Sequence, residues 1–175
     1  MAAAAHLFNQ RGYDATSMRD IAREAGMLAG SMYYHFSSKD DLIVATYEEG
    51  RRQIGGAVIA AIEGATDPWD RLERAAVAHM NTLFGGDNFA ILLCADISRT
   101  APTLRSRLIE IRDSYDKLFM DLIEDIPLPK GIDRGLLRLN LLGSLNWSSS
   151  WYRPGGQSPA QIGSFFVRVM RDGLK

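Results

Sequence analysis

Gly26 is the residue that most restricts how this chain can fold. It divides two short runs of helical periodicity within TSMRDIAREAGMLAGSMYYHFSSK, residues 16–39. A chain that reverses between two helices in so few residues needs a left-handed backbone at the corner, which glycine enters without steric cost. Before the corner, Met18, Ile21, Ala22 and Ala25 recur at helical spacing; Thr16 or Ser17 supplies the N-cap, and Ser17 with Asp20 has the form of a capping box. After it, a shorter helix is expected from about Leu28 to His35. Met32 and Phe36 share one side of that helix and can pack back on the first, while Gly30, Ser31 and Tyr34 face away and Tyr33 lies on the flank. Met18, Ile21, Met32 and Phe36 are therefore expected to form a small core. Two short helices around a glycine corner are the layout of a helix-turn-helix, whose second helix reads duplex DNA.

The outward chemistry of the second helix suits a duplex. Gly30 allows close backbone approach, Ser31 can hydrogen-bond a base edge or a phosphate, and the Ala29 methyl can meet a thymine methyl. Tyr33, Tyr34 and His35 offer donors with few rotatable bonds to phosphate oxygens. Ser38, with Asp41 three residues on, is expected to cap the next helix, placing Lys39 and free amides at a helix N-terminus where phosphate binds well. Contacts of that kind set register and carry little sequence information. Taken singly, a tyrosine pair reads as packing, His35 as a structural histidine and Lys39 as a solvated charge. Their combination at fixed spacing favours DNA.

The segments LFNQRGYDATSM (7–18), DIAREAG (20–26), GSMYYHF (30–36) and KDDL (39–42) together resemble the DNA-binding domain of the TetR family of bacterial transcriptional regulators. The resemblance implies that Ala29, Gly30 and Ser31 face the groove, that Tyr33, Tyr34, His35 and Lys39 clamp phosphates, and that Arg19 is a further DNA-contacting position. Two features depart from the pattern. Leu28 stands where a serine is common, which weakens the N-cap of the second helix. The chain also starts six residues before Leu7, where relatives carry another turn or two of helix and a basic arm. Either the start is truncated or the arm is absent; if it is absent, binding is expected to be less tight, because fewer counterions are released.

Charge alone would not have pointed to nucleic acid. The 175 residues carry a formal net charge of -1, and residues 1–46 hold four Lys or Arg against five Asp or Glu. Any positive face must come from placement, so useful affinity is expected only when two copies engage two half-sites. A hydrophobic content of 46% supports a globular fold. No apolar run reaches the ~18 residues of a membrane span, the MAAAA opening lacks the pattern of a secretory signal, and the single Cys94 fits a reducing cytoplasm. Apolar neighbours favour a buried, inert thiol there. His6, His35 and His79 are scattered, without metal-ligand spacing, a nucleophile elbow or a phosphate loop. The expectation is therefore no enzyme, no metal and no cofactor. The competing reading is a helical ligand-binding protein with weak or lost DNA affinity.

The remainder reads as helices punctuated by Gly and Pro: Lys39 to about Glu63, 68–84 opened by Asp67 and Pro68, 87–99, 103–125, 133–150, and a last helix capped by Ser158 with Pro159 at its first position. The expected fold is all-α, with a helix-turn-helix head over residues 1–46 joined by a long helix to a ligand-binding and dimerisation body over 47–175. LLRLNLLGSLNW is apolar on more than one face, and Phe165, Phe166, Val169 and Met170 follow in the last helix. A homodimer through these last two helices would set two recognition helices roughly 34 Å apart for a palindromic operator, and TetR-like regulators do pair in this way. Phe84, Phe89, Tyr115, Phe119 and Trp147 are candidates to line an apolar effector cavity. NWSSSWYRPGG resembles the C-terminal domain of the TetR branch that senses acyl-CoA thioesters. That resemblance implies that Arg153, with Arg99 or Arg138, meets CoA phosphates while Trp147 or Trp151 stacks on a ring. The function expected is a repressor released from DNA by a small lipophilic or acyl-CoA-type effector.

Overall fold

The computed structural model of the chain describes residues 1–86, 88–95, 97 and 100–174. Among them it is all-α: α1 (Ala2–Arg11), α2 (Met18–Glu24), α3 (Ala29–His35), α4 (Lys39–Ile62), α5 (Pro68–Leu83), α6 (Asn88–Leu92), α7 (Pro102–Glu124), α8 (Arg134–Trp151) and α9 (Pro159–Asp172). These fall into two compact units. One comprises residues 1–52 and 87–112, the other residues 53–86 and 113–175.

Local signals set most helix ends. Ser17 accepts from the Asp20 amide while the Asp20 carboxylate accepts from the Ser17 amide, closing the capping box at α2. Thr16, the other candidate cap, turns back instead. Its hydroxyl is buried and donates to the Gly12 carbonyl at 2.8 Å, tying the α1–α2 loop to the end of α1. Gly26 adopts φ +65°. There the Met27 amide donates to Ala22 O and the Gly26 amide to Arg23 O, the paired bonds that satisfy the last carbonyls of a helix ended by glycine. Asp67 with Pro68, Asp133, and Ser158 with Gln161 open α5, α8 and α9 in the same local way.

One expected helix is much shorter. In place of a helix over 87–99, α6 ends at Leu92. The Leu93, Cys94 and Ala95 amides then reach back three residues, to Ala90, Ile91 and Leu92, so the chain tightens into turns. Residues 96, 98 and 99 lie outside the described residues.

The first unit buries Ala4, Ala5, Leu7 and Phe8 of α1 with Met18, Ile21 and Ala22 of α2 and Met32 of α3. The expected small core thus forms, with Phe36 half-buried at its edge and Ala25 exposed. In the second unit α5 packs on α9 so closely that a Cβ at Gly163 would stand 2.8 Å from the Ala76 carbonyl oxygen. Backbone cannot yield as a side chain can. Gly163→Ala is expected to lower stability by about 1–3 kcal/mol through overpacking. Gly56→Ala, in α4 with open space around it, is expected to raise it by about 0.5–1 kcal/mol through helix propensity. Thermal unfolding of the two variants checks the opposite signs.

Candidate nucleic-acid interface

α3 is seven residues long and begins at Leu28 without a side-chain cap. An isolated helix so short is unstable, so it depends on the corner at Gly26 and on Met32, its one buried residue. Its other side is open. Tyr34 is 87% exposed and Tyr33 54%, while Ser31 and His35 are also exposed and Ala29 is half-buried. The Tyr34 and His35 rings meet edge to face at 5.3 Å at the end of the helix. A Cβ on Gly30 would meet nothing within 4 Å. Among the described residues no neighbour therefore requires glycine there, although glycine weakens a helix.

Arg19 is exposed on the first turn of α2. Lys39 behaves differently from the free cation that spacing suggests. Its ammonium donates to the carbonyls of Tyr13 at 2.9 Å and Thr16 at 3.0 Å and lies 4.0 Å from the centre of the Tyr13 ring. Two of its three N–H bonds serve the α1–α2 loop. The Tyr13 hydroxyl in turn donates to the Asp40 carboxylate. At the head of α4, Asp41 accepts from the hydroxyls of Ser37 and Ser38 and from Arg107, and these bonds hold its carboxyl below the usual range. The Asp41 amide donates to Ser38 Oγ at 3.0 Å, the cap that Ser38 was expected to make.

The candidate ligand residues do not form one cluster. Tyr115 and Phe119 are buried in the second unit, their rings 5.6 Å apart and both beside His79. Trp151 and Arg153 line an open groove of about 690 Å³ with Gln161, Phe165, Phe166 and Arg168. Phe84 packs on Tyr152 at 4.3 Å. Trp147 is 70% exposed, and Phe89 is half-buried in the first unit. Arg138 is paired with Asp116, and Arg99 lies outside the described residues. Burial pushes the Cys94 thiol up to about 12, as an inert cysteine requires. Among the described residues no group of three or more His, Cys, Asp or Glu is placed to hold a metal ion, and no helix is long and apolar enough to cross a membrane.

Spacing offered a clue to His79 that its scatter among the histidines concealed. It belongs to the buried row Leu72, Ala76, His79 and Leu83 of α5, and Nδ1 lies 2.8 Å from the Tyr115 hydroxyl. Burial holds the imidazole down at about 4, against an opposing contact with Asn146. Between pH ~6.5 and ~4 the unfolded chain takes up a proton that the folded chain refuses, so stability is complete above that window and falls as pH drops through it. The His79 contribution to the loss is expected to be about 3 kcal/mol. Denaturant unfolding at pH 7 and pH 4 should show a smaller pH-dependent loss for His79→Gln, which keeps a polar side chain but does not titrate.

Comparison with known proteins agrees with this fold. Residues 1–46 match the family described as bacterial regulatory proteins, tetR family, and residues 65–174 match the tetracyclin repressor-like C-terminal domain. The HTH-type transcriptional repressor KstR2 of Mycobacterium tuberculosis is 28% identical, over 98% of this chain and 88% of its own length. The crystal structure of the TetR family transcriptional regulator PfmR from Thermus thermophilus superposes with a TM-score of 0.81 at 25% identity, covering 99% of this chain and 97% of that one. The transcriptional regulator FadR from Bacillus subtilis, in complex with stearoyl-CoA, shares the fold with a TM-score of 0.81 at 20% identity, covering 99% and 96%. The chain belongs to the TetR family of bacterial regulatory proteins, whose members are DNA-binding transcriptional regulators and not enzymes.

Proposed function

We propose that the chain is a repressor that binds a palindromic operator as a homodimer and leaves it when a lipophilic or acyl-CoA-type effector binds the second unit. The observation that carries the DNA part is the outer side of α3: two tyrosines, 54% and 87% exposed, beside a glycine that no internal packing requires. Tyr33, Tyr34 and His35 clamp phosphates, Ala29, Gly30 and Ser31 face the groove, and Arg19 adds a contact from α2. Lys39 contributes its remaining N–H while holding the loop.

The dimer reading is supported by one long apolar surface on α8 and α9. Leu136, Leu139 and Trp147 on α8, with Val169 on α9, are each between 53% and 70% exposed. So much apolar surface on two adjacent helices marks an interface. The effector reading is supported by Arg153 and Arg168 beside Trp151, Phe165 and Phe166, a pairing of cations with aromatic faces that suits an acyl chain carrying phosphates. Both KstR2, a repressor, and FadR, seen with stearoyl-CoA, are proteins this chain resembles. Release requires the effector to favour one of two arrangements of the protein by differential affinity. α4, which starts at Lys39 in the first unit and ends at Ile62 in the second, is the element expected to carry that preference.

Selection from random duplexes should enrich a palindrome. Replacing Tyr33 and Tyr34 together by alanine should weaken binding to it about a hundredfold or more, because each lost bond to a phosphate is worth about 1.5–3 kcal/mol. These exposed residues are better probes than Lys39, whose loss would also loosen the loop. Gly30→Ala should separate stability from function: the helix gains about 0.5–1 kcal/mol, while the added methyl obstructs the groove and lowers affinity. Unchanged affinity in both variants would remove α3 from the interface. For the effector, a long-chain acyl-CoA should lower operator occupancy in a fluorescence-anisotropy titration, and free CoA should not. No change with either would exclude this effector class.

A further inference from the structure

The reading side of α3 carries a group that its polar chemistry leaves unused. Leu28, immediately before the helix, is 80% exposed, and Met27 beside it is 41% exposed. Leu28 makes no side-chain cap, so the side chain neither stabilises the helix end nor joins the core. An apolar side chain left in water at that position gains only when something outside the fold covers it.

The composition of α3 narrows what that can be. AGSMYYH contains no Arg, Lys, Asn or Gln, the side chains that pair bidentately with guanine or adenine edges. The N-terminal residues of a recognition helix are the ones that meet base edges, and here they are Leu28, Ala29, Gly30 and Ser31. In the major groove, the base feature that an apolar side chain distinguishes is the C5 methyl of thymine.

We propose that Leu28 is a specificity-determining residue that reads a thymine methyl in each half-site by apolar contact. The proposal rests on the DNA reading of α3 and adds its chemical basis of discrimination. The leucine and the methyl leave water together, and no hydrogen bond is needed or lost. The absence of a serine cap at this position is the accompanying cost. Tyr33 and Tyr34, further along the helix, hold the backbone and set the register in which Leu28 meets its base.

The test replaces one thymine at a time in the selected operator by deoxyuridine, which removes the methyl alone. Affinities are measured for the unaltered protein and for Leu28→Ala, whose thermal unfolding should match because Leu28 is so exposed. One thymine per half-site is expected at which uracil weakens the unaltered protein by about fourfold, the factor for one methyl lost from apolar contact, and leaves Leu28→Ala unaffected. Ala29 is retained in that variant, so a methyl read by Ala29 would penalise uracil in both proteins. Equal uracil effects in both proteins at every position, including no effect in either, would overturn the proposal. Failure of the unaltered protein to select any palindrome would instead overturn the DNA reading on which it stands.

Discussion

The Lys39 ammonium is the contact on which the head depends. It bonds the carbonyls of Tyr13 and Thr16 and lies over the Tyr13 ring, so one charge at the start of α4 gathers the loop that delivers the chain into α2. Charge-assisted bonds are about twice as strong as neutral ones, and the cation over an aromatic face adds to them. The Tyr13 bond to Asp40 and the Thr16 bond back to Gly12 close the same corner from either side. α2, and through Gly26 the short α3, are placed by this corner together with the small core of Met18, Ile21, Ala22 and Met32.

α3 is accordingly a weak helix held by its surroundings. It lacks a side-chain cap, buries Met32 alone and includes a glycine that nothing nearby demands. Each feature costs stability, and Ser31, Tyr33, Tyr34 and His35 stay exposed on its outer side. The second unit is built in the opposite way. There α5 and α9 meet backbone to backbone at Gly163, and Tyr115, Phe119 and His79 fill the interior.

Much of this was legible from the sequence because it rests on local chemistry. The capping boxes at Ser17 and Ser158, the Asp67–Pro68 start and the left-handed Gly26 depend on residues within four positions of one another, and each lies where its pattern predicts. The ends of α4, α7 and α8 fall within a residue of expectation for the same reason. Long-range geometry was not readable. The inward turn of Lys39 is decided by where carbonyls 23 and 26 residues away arrive. α6 stops early through turns that no glycine or proline between Asn88 and Ala95 announces. The candidate ligand aromatics share a composition but not a place, since Trp147 faces outward while Phe119 is fully buried.

In the proposed function the corner held by Lys39 presents a short reading helix from each of two copies, paired through α8 and α9, and both copies are needed for useful affinity. Hydroxyl-radical footprinting of the selected operator tests it most directly. Two protected patches of equal depth are expected, centred about one helical turn apart and appearing together as protein is added. A single patch that saturates alone, or protection spread evenly along the duplex, would contradict it.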